Sequence, residues 1–159
     1  MVACALFAAL TAAATAAVRI PLPVGHGYYH AGDAFIYLAA ACLPQPYAAI
    51  SAAVGASFAD LLSGFTVYIP FTFFIKALMT LAFTRASRHI INLRNILALA
   101  AASFISVAGY YAADAFIAES AAAVSGLYGN AVQAAVGGAV FLAAAALFDK
   151  AGVRGRIGL

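Results

Sequence analysis

Lys76 is the residue of this sequence whose type and position most clearly indicate chemistry, because it interrupts a long apolar run near its middle. If that run spans a membrane, the ammonium group lies too deep to reach water easily. It then needs a carboxylate, a cluster of backbone carbonyls or an anionic ligand as its partner. A structural ion pair with Asp33 or Asp60 is one interpretation, and a ligand or gating contact is the other. Thr72 and Thr80 lie four residues to either side of Lys76, on the same face of a helix.

Polar and small residues recur at helical spacing in three further apolar runs. Ionisable groups within a membrane are costly and therefore indicate function. Stripes of this kind on several helices predict a polar cavity that opens to one side of the membrane. The stripes are Ser57, Asp60 and Gly64; Ser103, Ser106, Tyr110 and Asp114; and Asn130, Gln133 and Gly137, and the carboxylates that lie near the same ends of the runs are Asp33, Asp60, Asp114 and Glu119.

The segment between the first two apolar runs is rich in Pro, Gly and His and is predicted to be a loop. His26 and His30 could form a metal-ligand set with Asp33. A glycine-rich loop fixes no ligand geometry, however, so a wall or lid of a binding pocket is the better interpretation and no metal is predicted. Tyr28 and Tyr29 could stack on a flat ring or anchor the loop at the membrane interface.

Motifs of enzymatic chemistry are missing from the sequence. It contains no Gly-x-Ser-x-Gly, no His-Glu-x-x-His and no glycine-rich phosphate-binding loop. The chain is therefore predicted not to be an enzyme and to bind neither ATP nor any other cofactor by itself. Active transport by this chain would draw its energy from an ion gradient or from another subunit.

The composition identifies the setting in which these residues act. Of the 159 residues, 67% are hydrophobic and 8% are charged, with a mean hydropathy of +1.03. Soluble domains are about 45–50% apolar and about 25% charged, and a soluble fold of this size could not bury so much apolar surface. A cytosolic enzyme, a nucleic-acid-binding protein and a disordered chain are therefore excluded, and a polytopic membrane protein is predicted.

Six apolar runs predict an all-α, integral membrane six-helix bundle that occupies the whole chain, 1–159, as one domain. A spanning helix needs about 20 mostly apolar residues, so the short second run is expected to be tilted or partial. The spans cover about 2–19, 33–44, 47–63, 67–84, 95–117 and 130–148, and a loop is predicted over 118–129.

The basic residues give the expected orientation of the bundle. Six spans place both termini on one side, and six of the eight Lys and Arg residues fall on that side. Because positive charge accumulates in cytoplasmic loops, the N and C termini are predicted to be cytoplasmic in a multi-pass protein of the cell membrane. These six residues are Arg85, Arg88, Arg94, Lys150, Arg154 and Arg156, whereas Arg19 is predicted to lie on the outer side.

The first span has no charge before Arg19 and carries small residues at four-residue spacing. Ala5, Ala9 and Ala13 form one such row. A row of small side chains lets another helix approach closely. In a chain so rich in alanine, the row fits a partner-docking face and ordinary internal packing equally well.

Six short segments, taken in their order and spacing, carry a resemblance to a known family. They are Ala5-Leu-Phe-Ala-Ala9, His30-Ala-Gly-Asp-Ala34, Gly55-Ala-Ser-Phe-Ala-Asp-Leu-Leu-Ser-Gly64, Tyr68-Ile-Pro70, Ile75-Lys-Ala-Leu78 and Asn130-Ala-Val-Gln133. Through them the chain resembles the substrate-binding (S) components of energy-coupling factor (ECF) vitamin transporters, on the riboflavin and hydroxymethylpyrimidine side of that group. The resemblance covers nearly the whole chain.

The resemblance implies a binding protein for a vitamin or vitamin precursor. Members of the group hold their ligand near the outer face of the membrane and associate with a transmembrane coupling protein and two cytoplasmic ATPases, which use ATP. The small-residue face of the first span is the group's docking surface for the coupling protein, which implies that role for Ala5, Ala9 and Ala13. The group's pocket positions are held here by Tyr28, His30, Asp33, Lys76, Tyr110, Asp114, Asn130 and Gln133.

The sequence alone does not identify the ligand or the energy source of transport. A pyrimidine-like or pyridine-like heterocycle with hydroxyl groups fits best, riboflavin would need more room, and Lys76 would also suit a carboxylated or phosphorylated compound. The alternative function is a stand-alone, ion-coupled secondary transporter in which Asp60, Asp114 and Lys76 relay protons. The lack of a visible inverted repeat argues against this alternative.

Overall fold

A computed structural model describes residues 1–17, 20–21, 28–117 and 120–152. The backbone, but not the side chains, is described for residues 20–21, 28–29, 120–122 and 125. The predictions that concern Arg19, His26, Glu119, Arg154 and Arg156 therefore lie outside the described residues. The same holds for the predicted roles of the Tyr28 and Tyr29 side chains.

Six α-helices make up most of the described chain, so the prediction of an all-α six-helix protein is confirmed. Two residues on each side of the first connection form a small antiparallel hairpin, in which Ile20 pairs with Tyr29 and Pro21 with Tyr28. A 3₁₀ turn over Thr66–Tyr68 leads into the fourth helix. The elements are α1 Val2–Ala17, β1 Ile20–Pro21, β2 Tyr28–Tyr29, α2 Gly32–Cys42, α3 Gln45–Ser63, α4 Ile69–Thr80, α5 Leu93–Ile117 and α6 Ser120–Lys150.

Proline and glycine mark the ends of α3 and the beginning of α4. Proline is tolerated in the first turn of a helix, where its missing N–H has no intrahelical partner to lose, and Pro46 and Pro70 occupy such positions. Gly64 ends α3 with a φ of 80°, a left-handed conformation that favours glycine. The chain thus turns sharply from α3 into α4, and these two helices pack against each other.

The prediction of a loop over 118–129 is wrong for residues 120–129, because α6 begins at Ser120. The small residues in this stretch suggested a loop, but one of them, Gly126, is needed for a close contact. A Cβ atom at that position would overlap the carboxylate of Asp114 on α5. The fourth helix also ends earlier than its predicted span, at Thr80, and residues 81–92 connect it to α5.

Helix α2 forms the centre of the bundle. It contacts α1, α3, α4 and α6, and every residue of it except Phe35 is buried. Its 11 residues span only about 16 Å, against about 37 Å for the 25 residues of α5. Because α2 is so short, its first turn begins within the bundle. We call the end of the bundle that holds β1 and β2 the hairpin end, and the first turn of α2 faces it.

The remaining surfaces fit a membrane environment. By length and composition, α5 and residues Gly126–Lys150 of α6 can each cross a membrane, and α1, α2 and Thr66–Thr80 are shorter apolar segments. Large apolar side chains such as Phe74, Phe104 and Phe116 are exposed on the outside of the bundle. Lipid would cover these side chains in a membrane.

Hydrogen bonds from three helices fix the connection 81–92 at the opposite end of the bundle. The side chain of Asn95 is buried and bonds the backbone of Thr84 and Ile90. The Gln45 amide donates to the carbonyl of Phe83 in the connection at 3.3 Å and to that of Thr80, at the end of α4, at 2.7 Å. The carboxylate of Asp149 accepts hydrogen bonds from two consecutive backbone N–H groups, those of Ile90 and Ile91. This connection is thus an ordered part of the fold, and it carries the exposed arginines Arg85 and Arg88.

Candidate functional site

A buried ion pair joins α2 to α4 below the hairpin. The Lys76 ammonium donates to Asp33 Oδ1 at 2.6 Å, and the side chains are 1% and 0% exposed, respectively. Asp33 lies in the first turn of α2, where the short length of that helix brings its carboxylate to the depth of Lys76. Of the two carboxylates considered as partners of Lys76, the structure brings Asp33 into contact.

An amide from α6 completes the surroundings of the Asp33 carboxylate. Gln133 Nε2 donates to Asp33 Oδ2 at 3.3 Å and lies 2.9 Å from His30 Nε2. Gly137, one helical turn further along α6, packs against Asp33, since a Cβ atom there would lie 3.1 Å from the Asp33 Cβ. Glycine at this position lets α6 approach closely enough for the amide of Gln133 to reach the ion pair.

His30 links this cluster to the hairpin and to α1. Its Nδ1 accepts a hydrogen bond from the backbone N–H of Gly32 at 3.2 Å and lies 3.4 Å from Thr15 Oγ1. The imidazole precedes α2 and is half-buried. Burial lowers the pKa of His30 to about 4, with the nearby Lys76 ammonium acting in the same direction and the Asp33 carboxylate opposing both. His30 is therefore neutral at pH 7.

Tyrosine and threonine line the other side of Lys76. The Lys76 ammonium lies 5.2 Å from the centroid of the Tyr110 ring on α5, a distance typical of cation–π contacts. The Tyr110 hydroxyl and Thr72 Oγ1 are 3.0 Å apart. Thr72, Lys76 and Thr80 are all buried, as expected for residues on one helix face. We call His30, Asp33, Lys76, Tyr110 and Gln133 the ion-pair cluster.

Asp114 and Asn130 belong to a second polar group nearer the hairpin end. The Tyr68 hydroxyl donates to Asp114 Oδ1 at 2.8 Å. Asp114 and Asn130 both lie beside Gly126, so the carboxylate and the amide face the same short stretch of α6. The second group adjoins the ion-pair cluster along α5, because Tyr110 of the cluster lies one helical turn before Asp114.

The described residues of the predicted site thus form two neighbouring groups. The structure brings together His30, Asp33, Lys76, Tyr110 and Gln133, and it places Asp114 with Asn130. The three residues of the alternative proton relay do not bond one another: Lys76 bonds Asp33 and Asp114 bonds Tyr68. Asp60 has a buried carboxylate oxygen, Oδ2, without a hydrogen-bond partner.

Thr15 and Tyr68 were missed as site residues by the sequence analysis. Thr15 lies four residues after Thr11 in an otherwise apolar helix, and both are buried. Two threonines at this spacing in an alanine-rich span share a face, and that signal could have indicated a polar contact on α1. For Tyr68 the sequence offers no comparable signal, because an aromatic residue near a span end also fits an interface anchor.

The row Ala5, Ala9 and Ala13 is exposed along α1. The opposite face of the same helix holds Thr11, Ala12 and Thr15, which are buried. The close internal contact of α1 is made elsewhere, by Ala8, whose backbone packs against Gly55 of α3. The row of small residues is therefore not used for packing within the described bundle.

The ion-pair cluster presents fixed donors and acceptors around an aromatic ring. Two full charges neutralise each other, and the remaining polar groups are an amide, an imidazole and one hydroxyl group. Among the residues that the structure describes, no group of three His, Cys, Asp or Glu side chains could hold a metal ion.

Comparison with known proteins gives one family match. The family model described as ECF-type riboflavin transporter, S component, matches residues 1–150. A search of curated proteins gave no match. The matched range contains all six helices, both polar groups and the exposed row of alanines on α1.

Proposed function

The chain belongs to the family of ECF-type riboflavin transporter S components, which are membrane-embedded substrate-binding subunits, and we propose that it captures a vitamin with a flat heterocyclic ring at its hairpin end. The family match over residues 1–150 carries this proposal. Riboflavin is the compound that the family's description names, and it is the first ligand to test. A pyrimidine-like or pyridine-like precursor is the next.

The proposed binding site comprises the ion-pair cluster and the second polar group. Tyr110 would offer its aromatic ring to the ligand. His30, Gln133 and Asn130 would offer hydrogen-bond donors and acceptors around it. His30 and Asn130 are half-buried, so they lie where a ligand would first meet the site. The resemblance assigns Tyr28 to this site as well. In sites for small ligands a few placed polar groups fix the orientation of the ligand, and we propose that these side chains have that role.

Partner docking is proposed for the exposed face of α1. Ala5, Ala9 and Ala13 offer a shallow apolar row that a helix of the transmembrane coupling protein could approach closely. The two cytoplasmic ATPases would bind to that coupling protein and supply the energy. In this orientation the N and C termini face the cytoplasm, the protein spans the cell membrane several times, and the hairpin end faces outward, as the positions of Arg85, Arg88, Arg94 and Lys150 favour.

Ligand binding is tested with the purified protein in detergent. We expect riboflavin fluorescence to be quenched on binding, and mass spectrometry of the denatured protein to reveal a co-purified heterocycle. Asn130→Ala should weaken binding about tenfold or more, since a hydrogen bond to a buried ligand contributes roughly 1.5 kcal/mol. Ala100→Leu, on the exposed surface of α5, is the control and should bind as the unaltered protein does. If no vitamin-like heterocycle binds or co-purifies, the proposed function is wrong.

Docking is tested separately by co-purification with the coupling protein and ATPases of the same cell. Ala9→Leu places a large side chain in the middle of the exposed row and should abolish co-purification while leaving ligand binding unchanged. Ala100→Leu makes the same change on α5 and should leave the complex intact. Equal loss with both variants would show that the effect is not specific to α1.

A further inference from the structure

The positive charge of Lys76 is neutralised by a partner within the protein. Its ammonium bonds Asp33 Oδ1 at 2.6 Å, faces the ring of Tyr110 at 5.2 Å, and is shielded from solvent. The second oxygen of Asp33 is bonded by Gln133, which holds the carboxylate in place. A ligand anion could reach Lys76 only by displacing a carboxylate that is itself buried.

The described part of the hairpin end has no other cation to offer. Apart from tyrosines, its ionisable side chains are the carboxylates of Asp33, Asp60 and Asp114, the ammonium of Lys76 and the neutral imidazole of His30. The other lysine and arginine residues that the structure describes lie at the opposite end of the bundle; they are Arg85, Arg88, Arg94 and Lys150. A phosphate group bound beside the described residues would therefore meet carboxylates and no free positive charge.

We propose that the Lys76–Asp33 pair is a specificity device that rejects phosphorylated ligands, so that the site takes the free alcohol form of its vitamin. The inference rests on the proposed function, which it makes more specific. Asp33 acts as a built-in competitor for Lys76, because it already supplies the negative charge that a phosphate would supply. Proteins often achieve specificity by making the unwanted partner costly, and burying a phosphate beside the Asp33 carboxylate, with Lys76 already paired, is such a cost.

The effect of substituting Asp33 should distinguish the ion pair from an apolar wall that merely excludes phosphate. Replacing Asp33 with Asn keeps the shape of the side chain and removes its charge, which leaves Lys76 buried and unpaired. An unpaired buried ammonium is unstable and would be stabilised by an incoming anion. The structure thus implies that one substitution converts a site that rejects phosphate into one that attracts it.

The experiment compares riboflavin, riboflavin 5′-phosphate and inorganic phosphate as probes. We expect the unaltered protein to bind riboflavin at least tenfold more tightly than its phosphate ester, and Asp33→Asn to reduce this ratio at least tenfold. Inorganic phosphate should raise the melting temperature of Asp33→Asn but not that of the unaltered protein. In Asp33→Asn with Lys76→Met, the stabilisation by phosphate should disappear. Asp149→Asn changes the net charge equally at the far end of the bundle and should leave the ratio unchanged.

Several outcomes would overturn the proposal. Equal binding of both flavins by the unaltered protein would do so, as would an unchanged ratio in Asp33→Asn or an equal change in Asp149→Asn. Lys76→Met provides a second test if Asp33→Asn does not fold. This substitution should not weaken the binding of the phosphate ester more than the binding of riboflavin. A selective loss of affinity for the ester would show that Lys76 binds the phosphate. If the unaltered protein binds neither flavin, the proposed ligand is wrong, and the inorganic phosphate measurements still decide the role of the ion pair.

Discussion

Removing one partner of the Lys76–Asp33 pair is the most direct test of how this bundle is held together. The pair connects α2 and α4 with both side chains excluded from solvent. Breaking a buried ion pair by removing one partner costs about 3–5 kcal/mol, because the remaining charge is left without compensation. In a protein of this size each kcal/mol lowers the melting temperature by about 2–4 °C, so Asp33→Asn should lower it by about 10 °C.

The complete test is a double-mutant cycle followed by thermal unfolding in detergent. Asp33→Asn and Lys76→Met should each destabilise the protein strongly. The two together should cost much less than the sum, because replacing a buried pair by uncharged side chains of similar volume is often neutral. The measurement is the change in melting temperature, checked by the loss of helical circular dichroism.

Asp114→Asn is the matched control. Asp114 bonds Tyr68 rather than a cation and is half-buried, and an asparagine oxygen can still accept that hydrogen bond. The substitution should lower the melting temperature by no more than about 3 °C, since it disturbs one hydrogen bond of roughly 1 kcal/mol. The reasoning is refuted if the two changes of the cycle are additive, or if either single variant is as stable as Asp114→Asn.

Three further predictions concern a helix crossing, a connection and a titrating group. Gly55→Ala should destabilise the protein by about 1–3 kcal/mol, because its Cβ would lie 2.5 Å from a backbone oxygen of α1, whereas Gly138→Ala should have little effect on the melting temperature since its Cβ meets only ordinary contacts at 3.5 Å. Asp149→Ala should make trypsin cleave the 81–92 connection faster, because two backbone N–H groups lose their acceptor. Lowering the pH from 7 to 5 should lower the melting temperature, and His30→Gln should reduce that effect.

The sign of the pH effect follows from the direction of the His30 shift. The folded protein holds the pKa of this imidazole at about 4, below the 6.5 of an unperturbed histidine, so the unfolded chain binds the proton more readily. The contribution of the neutral His30 imidazole to the free energy of unfolding is fully present above pH 6.5 and is lost as the pH falls toward 4. At pH 5 the loss is about 2 kcal/mol. A melting temperature that stays constant or rises over this range would contradict the assignment.

The outcomes of the other two predictions are equally distinct. Equal melting temperatures for Gly55→Ala and Gly138→Ala would mean that α1 and α3 can separate at no cost. For the connection, the control is Lys150→Gln, which alters the exposed neighbour of Asp149. If both variants are cleaved at the same rate as the unaltered protein, the carboxylate does not hold the connection.

The apolar runs were sufficient to predict the number and the type of the helices. Hydrophobic length is a strong signal in a membrane protein, because every backbone group of a span must be satisfied within the helix. The N-terminal ten residues of α6 were missed for a specific reason. A run of small residues is typical of a loop, yet Gly126 within it is a point of close approach to Asp114, and only the position of α5 distinguishes the two roles.

Only part of the candidate site could be predicted from the sequence, because helical spacing gives a shared face but not the partner on another helix. The spacing of Thr72, Lys76 and Thr80 predicted that they share one helix face, and in the structure all three are buried. The choice between Asp33 and Asp60 as the partner of Lys76 could not be made from spacing, since it depends on how deep the first turn of α2 lies. The role of Asp149 was equally inaccessible, because its partners are backbone groups almost 60 residues earlier in the chain.

The proposed function requires a ligand site and a docking surface in one small chain, and α1 contributes to both. Thr15 on its buried face lies 3.4 Å from His30, the half-buried edge of the ion-pair cluster. Ala5, Ala9 and Ala13 on its exposed face form the proposed docking row. A helix transmits a displacement along its length because its backbone hydrogen bonds resist bending. A ligand that moved His30 would therefore act on the same helix that is proposed to contact the coupling protein, without any need for a long chain of intervening residues.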